Sequence, residues 1–293
     1  MRQVLLEPFG QPFMQRALLQ VVLLGVVAGV AGVYVVLRRL AFVSDTMTHT
    51  VFPGAAIAFA LGADVLVGAA LAGVLTALLL AALTAVRRVD EDAALAVLLT
   101  SFFAVGVVVV SRFRGYTTDL QLLLFGRSVL LVPSSQVAQS AVLGAVVLLG
   151  LAVLHKELVL RAFDEAGAQA MGYRPVALDV ALNCLLALVV VAGLRTAGTL
   201  LTIALVIVPA ATARLLSARI RVMLPLAAAI GAAGGYLGLV VSYDASVRRG
   251  VSLAGGATIV VVLVAGFLLA LAAPAVRRRL AGRDEQGVVA RAA

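Results

Sequence analysis

Tryptophan is absent from this 293-residue chain, cysteine occurs once, and residues of either charge make up only 13% of it. Each scarcity excludes something. One thiol, Cys184, cannot close an intrachain disulfide or build a cysteine-rich zinc site, and its place in an apolar run reads as a small buried hydrophobe. With so little charge, 63% hydrophobic residues and a mean hydropathy of +1.14, the chain is too apolar for a soluble domain of this size. Without tryptophan, and with 5% aromatics, interfacial anchoring falls to arginine and the few tyrosines and phenylalanines. No glycine-rich Lys-Ser or Lys-Thr phosphate loop is present, nor a helical pattern of two histidines flanking a glutamate. Neither ATP hydrolysis nor zinc-protease chemistry is therefore expected of the chain itself. The first apolar run lacks a signal-peptide pattern and is long enough to stay in a membrane.

What is present is a succession of apolar runs long enough to cross about 30 Å of hydrocarbon. Nine are read, at 17–37, 41–62, 65–86, 92–111, 138–154, 176–194, 197–216, 222–242 and 252–273. The fold class is all-α: a polytopic membrane protein of eight to nine transmembrane helices, in one transmembrane domain over 1–275. A basic and polar tail over 276–293 is expected to be disordered. Between the fourth and fifth runs, Arg112 to Gln136 is too short and interrupted to span and reads as a re-entrant or interfacial segment.

The net charge of +9 reads as topology. Nine spans with a cytoplasmic C-terminus place 15 of the 23 Lys and Arg residues inside, which favours an external N-terminus. Arginines scattered between apolar spans, without interleaved aromatics, argue against a nucleic-acid partner.

The second run holds an unusually polar turn, Ser44 to Thr50. Asp45 and His49, four residues apart, lie about 40° apart on one helical face and roughly 6 Å along the axis, so both can reach one ligand. A carboxylate at mid-membrane costs about 2.5 to 3.5 kcal/mol on insertion scales, and such residues face protein or a watery path. Imidazole with carboxylate suits zinc or manganese. The competing reading is an interhelical Asp–His hydrogen bond that only holds helices together.

Three other features stand out. Pairs of small residues at helical spacing, Gly25 with Gly29, Gly231 with Gly235 and Gly234 with Gly238, let helices approach closely. Pro209 removes a hydrogen bond from the Leu205 carbonyl, leaving either a static kink or a bend beside a pathway to which Thr202 and Thr212 offer hydroxyls. From Leu160 to Pro175 the chain reads as a short amphipathic helix on the cytoplasmic side. Asp164 and Glu165 suit its start, Phe163, Ala166, Ala170 and Met171 form an apolar stripe, and Gly172 followed by Pro175 stops it. It could lie on lipid or dock into a partner. His155, beside Lys156 and Glu157, reads as a solvated loop residue.

Five stretches in order resemble one family: Ser44-Asp45 to His49 with Val51-Phe52-Pro53-Gly54, Glu91-Asp92-Ala93-Ala94, Leu124-Phe125-Gly126, Phe163-Asp164-Glu165-Ala166 with Gly172, and Val208-Pro209-Ala210-Ala211-Thr212-Ala213. Over roughly residues 13 to 275 the chain resembles permease subunits of bacterial ATP-binding-cassette importers for zinc, manganese or iron, of the type II importer kind. The resemblance implies a plasma-membrane permease that pairs with a second copy or a paralogue. It also implies two cytoplasmic ATPase subunits that use the ATP, an external or periplasmic metal-binding protein, and no cofactor held by this chain. It further implies that Asp45 and His49 contact the metal in transit, and that Phe163, Asp164, Glu165, Ala166, Met171 and Gly172 belong to the coupling helix, about 160–173, that enters the ATPase. Ser44 and Thr48 depart from the glycine and serine expected there. Alternatives are a proton-coupled secondary transporter, in which Asp45 and His49 relay protons, and a permease for a siderophore or corrinoid. The latter would want a wider and more aromatic path than a chain without tryptophan supplies.

Overall fold

A computed structural model describes the backbone of residues 7–86, 89–111, 132–248, 250–251 and 253–292. The segment 112–131, with Asp119, Arg127 and the Leu124-Phe125-Gly126 stretch, lies outside the described residues. Among the described residues, a turn of 3-10 helix, Glu7–Gly10, is followed by ten helices. They are α1 (Pro12–Leu37), α2 (Ala41–Ala60), α3 (Val65–Thr84), α4 (Glu91–Ser111), α5 (Ser134–Val153), α6 (His155–Phe163), α7 (Glu165–Ala170), α8 (Pro175–Leu216), α9 (Ile220–Arg248) and α10 (Gly255–Ala292). Among the described residues no strand occurs. The expected tail, 276–293, falls where no side chain is described.

Several boundaries follow from local chemistry. Pro12 opens α1, where its missing N–H costs nothing and its φ is already helical. Asp64 caps α3, its Oδ1 accepting from the N–H groups of Leu66 at 2.7 Å and Val67 at 3.3 Å.

α8 is one run of helix in name only. At Gly198 the backbone takes φ 73° and ψ 174°, a conformation open to glycine alone. A Cβ on Gly193 would stand 2.3 Å from Thr202 Oγ1, although nine helical residues would separate the two by roughly 13 Å along a straight axis. The chain therefore doubles back, and α8 is two antiparallel arms, Pro175–Leu194 and Ala197–Leu216, each long and apolar enough to cross a membrane.

Eight such segments are present among the described residues. α2, at 20 residues, is long enough but falls short in apolarity because six of the seven residues from Ser44 to Thr50 are polar. α2 corresponds to the remaining one of the nine runs read from the sequence, and among the described residues the segments both long and apolar enough to cross number eight. α2 tolerates this polarity because it is lodged against α3, α4 and α8, with Val43, Met47 and Val51 fully buried.

α1 and the first arm of α8 are the most enclosed elements, and α10 the least. The small-residue pairs mark real contacts. A Cβ on Gly25 would lie 2.6 Å from the Gly231 backbone, and one on Gly238 2.5 Å from Ile259 Cα, so α9 packs α1 on one face and α10 on the other.

Candidate functional site

The Asp45–His49 pair sits in the second and third turns of α2. His49 Nε2 and Asp45 Oδ1 are 3.8 Å apart, and the side chains keep 30% and 39% of their surface accessible. That distance is beyond a hydrogen bond. The pair also lies within one helix, so an interhelical Asp–His bond is not what holds this part of the bundle. Zinc–ligand bonds to nitrogen and oxygen are about 2.0 to 2.2 Å long, so two donor atoms 3.8 Å apart can share one ion of this kind.

The surroundings orient both groups. The Phe103 ring of α4 meets the His49 ring edge to face, with centroids 6.0 Å apart and planes at 85°. The Thr48 hydroxyl donates to the Asp45 carbonyl at 2.7 Å. Pro53, inside α2, has no N–H to offer the carbonyl four residues back, which is that of His49. Ser44 Oγ and Thr46 Oγ1 are buried without a partner. Among the described residues no third histidine, cysteine, aspartate or glutamate joins the pair, so one chain supplies an incomplete shell.

A cavity of about 660 Å³ opens one turn further along α2, between Pro53, Ile57, Leu71, Phe102 and Val105. Its walls are almost wholly apolar and suit hydrocarbon, not an ion.

The pathway candidates on the second arm of α8 are enclosed. Thr202 and Thr212 are buried, and each hydroxyl donates at 2.7 Å to the carbonyl four residues earlier, Gly198 and Val208 respectively. Their protons are thus used within their own helix, around the buried Pro209.

The docking candidate is two helices. α6 ends at Phe163, and Asp164 breaks the run and caps α7, accepting from Gly167 N–H at 2.8 Å. Glu165 and Ala166 open α7, Met171 closes it, and Gly172 turns the chain with φ +85° towards Pro175, the first residue of α8. Phe163 and Met171 are 67% and 71% exposed and flank the short helix, whereas Ala168 anchors it with no exposure.

Reading the sequence missed a charged cluster at this end of the bundle. Asp179, in the second turn of α8, accepts from Arg38 at the end of α1 and, at 3.1 Å, from Arg161 of α6, which also pairs with Glu165 of α7 at 2.7 Å. A lone acid in an apolar run was the available signal, the same one that singled out Asp45. His155 is not a solvated loop residue. It opens α6, is half-buried, and shares a 2.7 Å hydrogen bond with the Tyr34 hydroxyl, because α6 folds back against α1.

The model of the ABC 3 transport family matches residues 10–274. The chain is 38% identical over 260 residues to the "Manganese transport system membrane protein MntC" of Halalkalibacterium halodurans, covering 89% of this chain and 86% of that one. It is 32% identical over 277 residues to a "Probable iron transport system membrane protein" of Haemophilus influenzae, covering 94% and 98%. Among solved structures it is similar to "PsaBC from Streptococcus pneumoniae in complex with Fab", with a TM-score of 0.80, 31% identity, and coverage of 92% of this chain and 95% of that one.

Proposed function

Because the chain belongs to the ABC 3 transport family, we propose that it imports manganese as the permease subunit of an ATP-binding-cassette transporter, with Asp45 and His49 binding the ion in transit. It is a multi-pass plasma-membrane permease for a divalent metal ion of the zinc, manganese and iron group, and ATP is hydrolysed in a separate subunit. Manganese is favoured by the name of the MntC relative and by a donor set of oxygen and imidazole without thiolate.

The observation that carries the site is the accessible Asp45–His49 pair, 3.8 Å apart on the one crossing helix that falls short in apolarity. Two ligands hold a divalent ion poorly. A second copy of the chain, presenting the same pair, would bring the donors to four and the carboxylates to two. Two negative charges match the ion's two positive ones, which matters where the surrounding dielectric is low and an unpaired charge is costly. Four donors from opposed helices also part when the copies move, so the ion is released as readily as it is caught. This arrangement favours a homodimer over pairing with a paralogue.

α7, with Phe163 and Met171 exposed beside it, is the segment that meets the ATPase subunits. An external metal-binding protein delivers the ion at the opposite end. The N-terminus lies outside and the C-terminus in the cytoplasm, an assignment supported by the loop arginines. Closure of the ATPase subunits moves α7, the bundle changes the side to which Asp45 and His49 are open, and the ion passes inward. This chain performs no covalent chemistry, and residues 1–275 act as one unit.

The test is uptake of radiolabelled manganese and zinc, in competition, into proteoliposomes holding the chain with its ATPase subunits and binding protein. ATP-dependent uptake that prefers manganese is expected, with Asp45→Ala and His49→Ala each losing it while still assembling. Uptake without the ATPase subunits would sink the reading in favour of a secondary transporter, and full transport by both variants would remove the pair from the path.

A further inference from the structure

Asp179 joins three parts of the chain that are remote in sequence. One carboxylate oxygen accepts from Arg38, at the turn between α1 and α2, and the other accepts at 3.1 Å from Arg161 in α6. Arg161 also reaches across the break at Asp164 to Glu165 at 2.7 Å, in the first turn of α7. The two arginines are 11% and 13% exposed and Asp179 25%, so water screens the Asp179 bonds only in part, whereas Glu165, at 54%, meets Arg161 at the surface. Glu91, at the start of α4, is close enough to interact electrostatically with Arg38, Arg161 and Asp179.

The position of Arg38 gives the cluster its consequence. Arg38 is followed by Arg39, held at φ 60°, and then by α2, whose second turn carries Asp45. α1 and α2 themselves touch little, since α2 packs on α3, α4 and α8. A push on α7 therefore has a short rigid route to α2: Glu165, Arg161, Asp179, Arg38 and the two-residue turn. The three side-chain steps are charge-assisted bonds, one N–H to one carboxylate oxygen each, and the last step is covalent backbone.

We propose that Asp179 is a positioning residue that transmits movement of the docking helix α7 to the ion-binding helix α2 by holding Arg161 and Arg38 together. The inference rests on the docking role assigned to α7 above. Asp179 touches no ion and changes none of the ligands; it decides whether work done on α7 reaches them.

The test reads manganese uptake and phosphate release together in proteoliposomes holding the complete transporter. Asp179→Asn keeps the shape and removes the charge. It is expected to lower the manganese carried per ATP hydrolysed by roughly tenfold or more, with basal hydrolysis within about twofold of native. Asp179→Glu, which keeps two acceptor oxygens, is expected to recover most of that ratio. A native ratio in Asp179→Asn would overturn the proposal, as would uptake and hydrolysis falling in equal proportion, which marks a merely structural loss. Should Asp179→Asn not assemble, the double variant Arg38→Gln with Asp179→Asn, which removes the cation the single change strands, is read by the same two outcomes. Uptake by the native chain separates the two claims: if it is absent, the import reading fails, whereas an unaltered ratio in the variants removes only the clamp.

Discussion

An imidazole nitrogen and a carboxylate oxygen 3.8 Å apart, on side chains about one-third exposed, are placed to accept a third party more than to satisfy each other. The i, i+4 spacing made this legible in the sequence, because helical geometry alone puts Asp45 and His49 on one face. What spacing could not reveal is the neighbour from α4. Phe103 is remote in sequence and sits edge-on to His49 only because α4 packs against α2. Such a contact is worth about 0.5 to 1.5 kcal/mol, so Phe103→Ala should weaken apparent manganese affinity by roughly two- to tenfold by freeing the imidazole rotamer. The KM for uptake measures this, with Phe103→Tyr expected near native. An unchanged KM would mean that backbone and Thr48 orient His49 without help. Asp179 was as conspicuous in the sequence as Asp45, but a solitary acid names no partner. Its arginines lie 141 and 18 residues away, and only packing brings them to it.

At the scale of elements, α8 shows where pattern and structure separate. The hydropathy of 176–194 and 197–216 reads as two spans, and the arms confirm it, but the residue at which the helix breaks, Gly198, lies inside the second run and not in the gap between them. One glycine makes the reversal, with φ 73° and ψ 174° at Gly198 and the Thr202 hydroxyl donating to its carbonyl. Gly198→Ala should cost about 1 to 3 kcal/mol through backbone strain. A lowered thermal midpoint of the detergent-purified chain checks this, and no change would mean that the reversal can move to a neighbouring residue. The segment from Leu160 to Pro175 shows the opposite case. Its cap, stripe and stop were all readable, yet the break at Asp164 was not, because an aspartate that starts a helix is also a tolerable residue inside one. The break leaves α7 as a separate short helix, tied back to α6 by the Arg161–Glu165 pair.

For the molecule as a whole, the proposed ion site draws only two donors, Asp45 and His49, from one chain. If two copies share one ion, transporters assembled from native and Asp45→Ala chains in equal amounts should retain about a quarter of native uptake, because only native–native pairs complete the shell. Two sites working independently would leave about half. Uptake across a series of mixing ratios distinguishes the square dependence from the linear one.

The chain's membrane character, its apolar crossing-length runs, the polar turn in α2, the small-residue faces of α9 and the stop at Gly172 before Pro175 were determined by sequence alone. Each depends on local composition or helical periodicity, which a single strand of residues carries without reference to the fold. The tertiary structure decided the rest: that α2 is tolerated because other helices enclose it, that Phe103 faces His49, that Tyr34 holds His155, and that Asp179 clamps Arg38 and Arg161. All of these join residues by side-chain reach between helices distant in sequence. In lipid such packing is set by the fit of surfaces and the pairing of buried charge, neither of which has a period that a sequence displays.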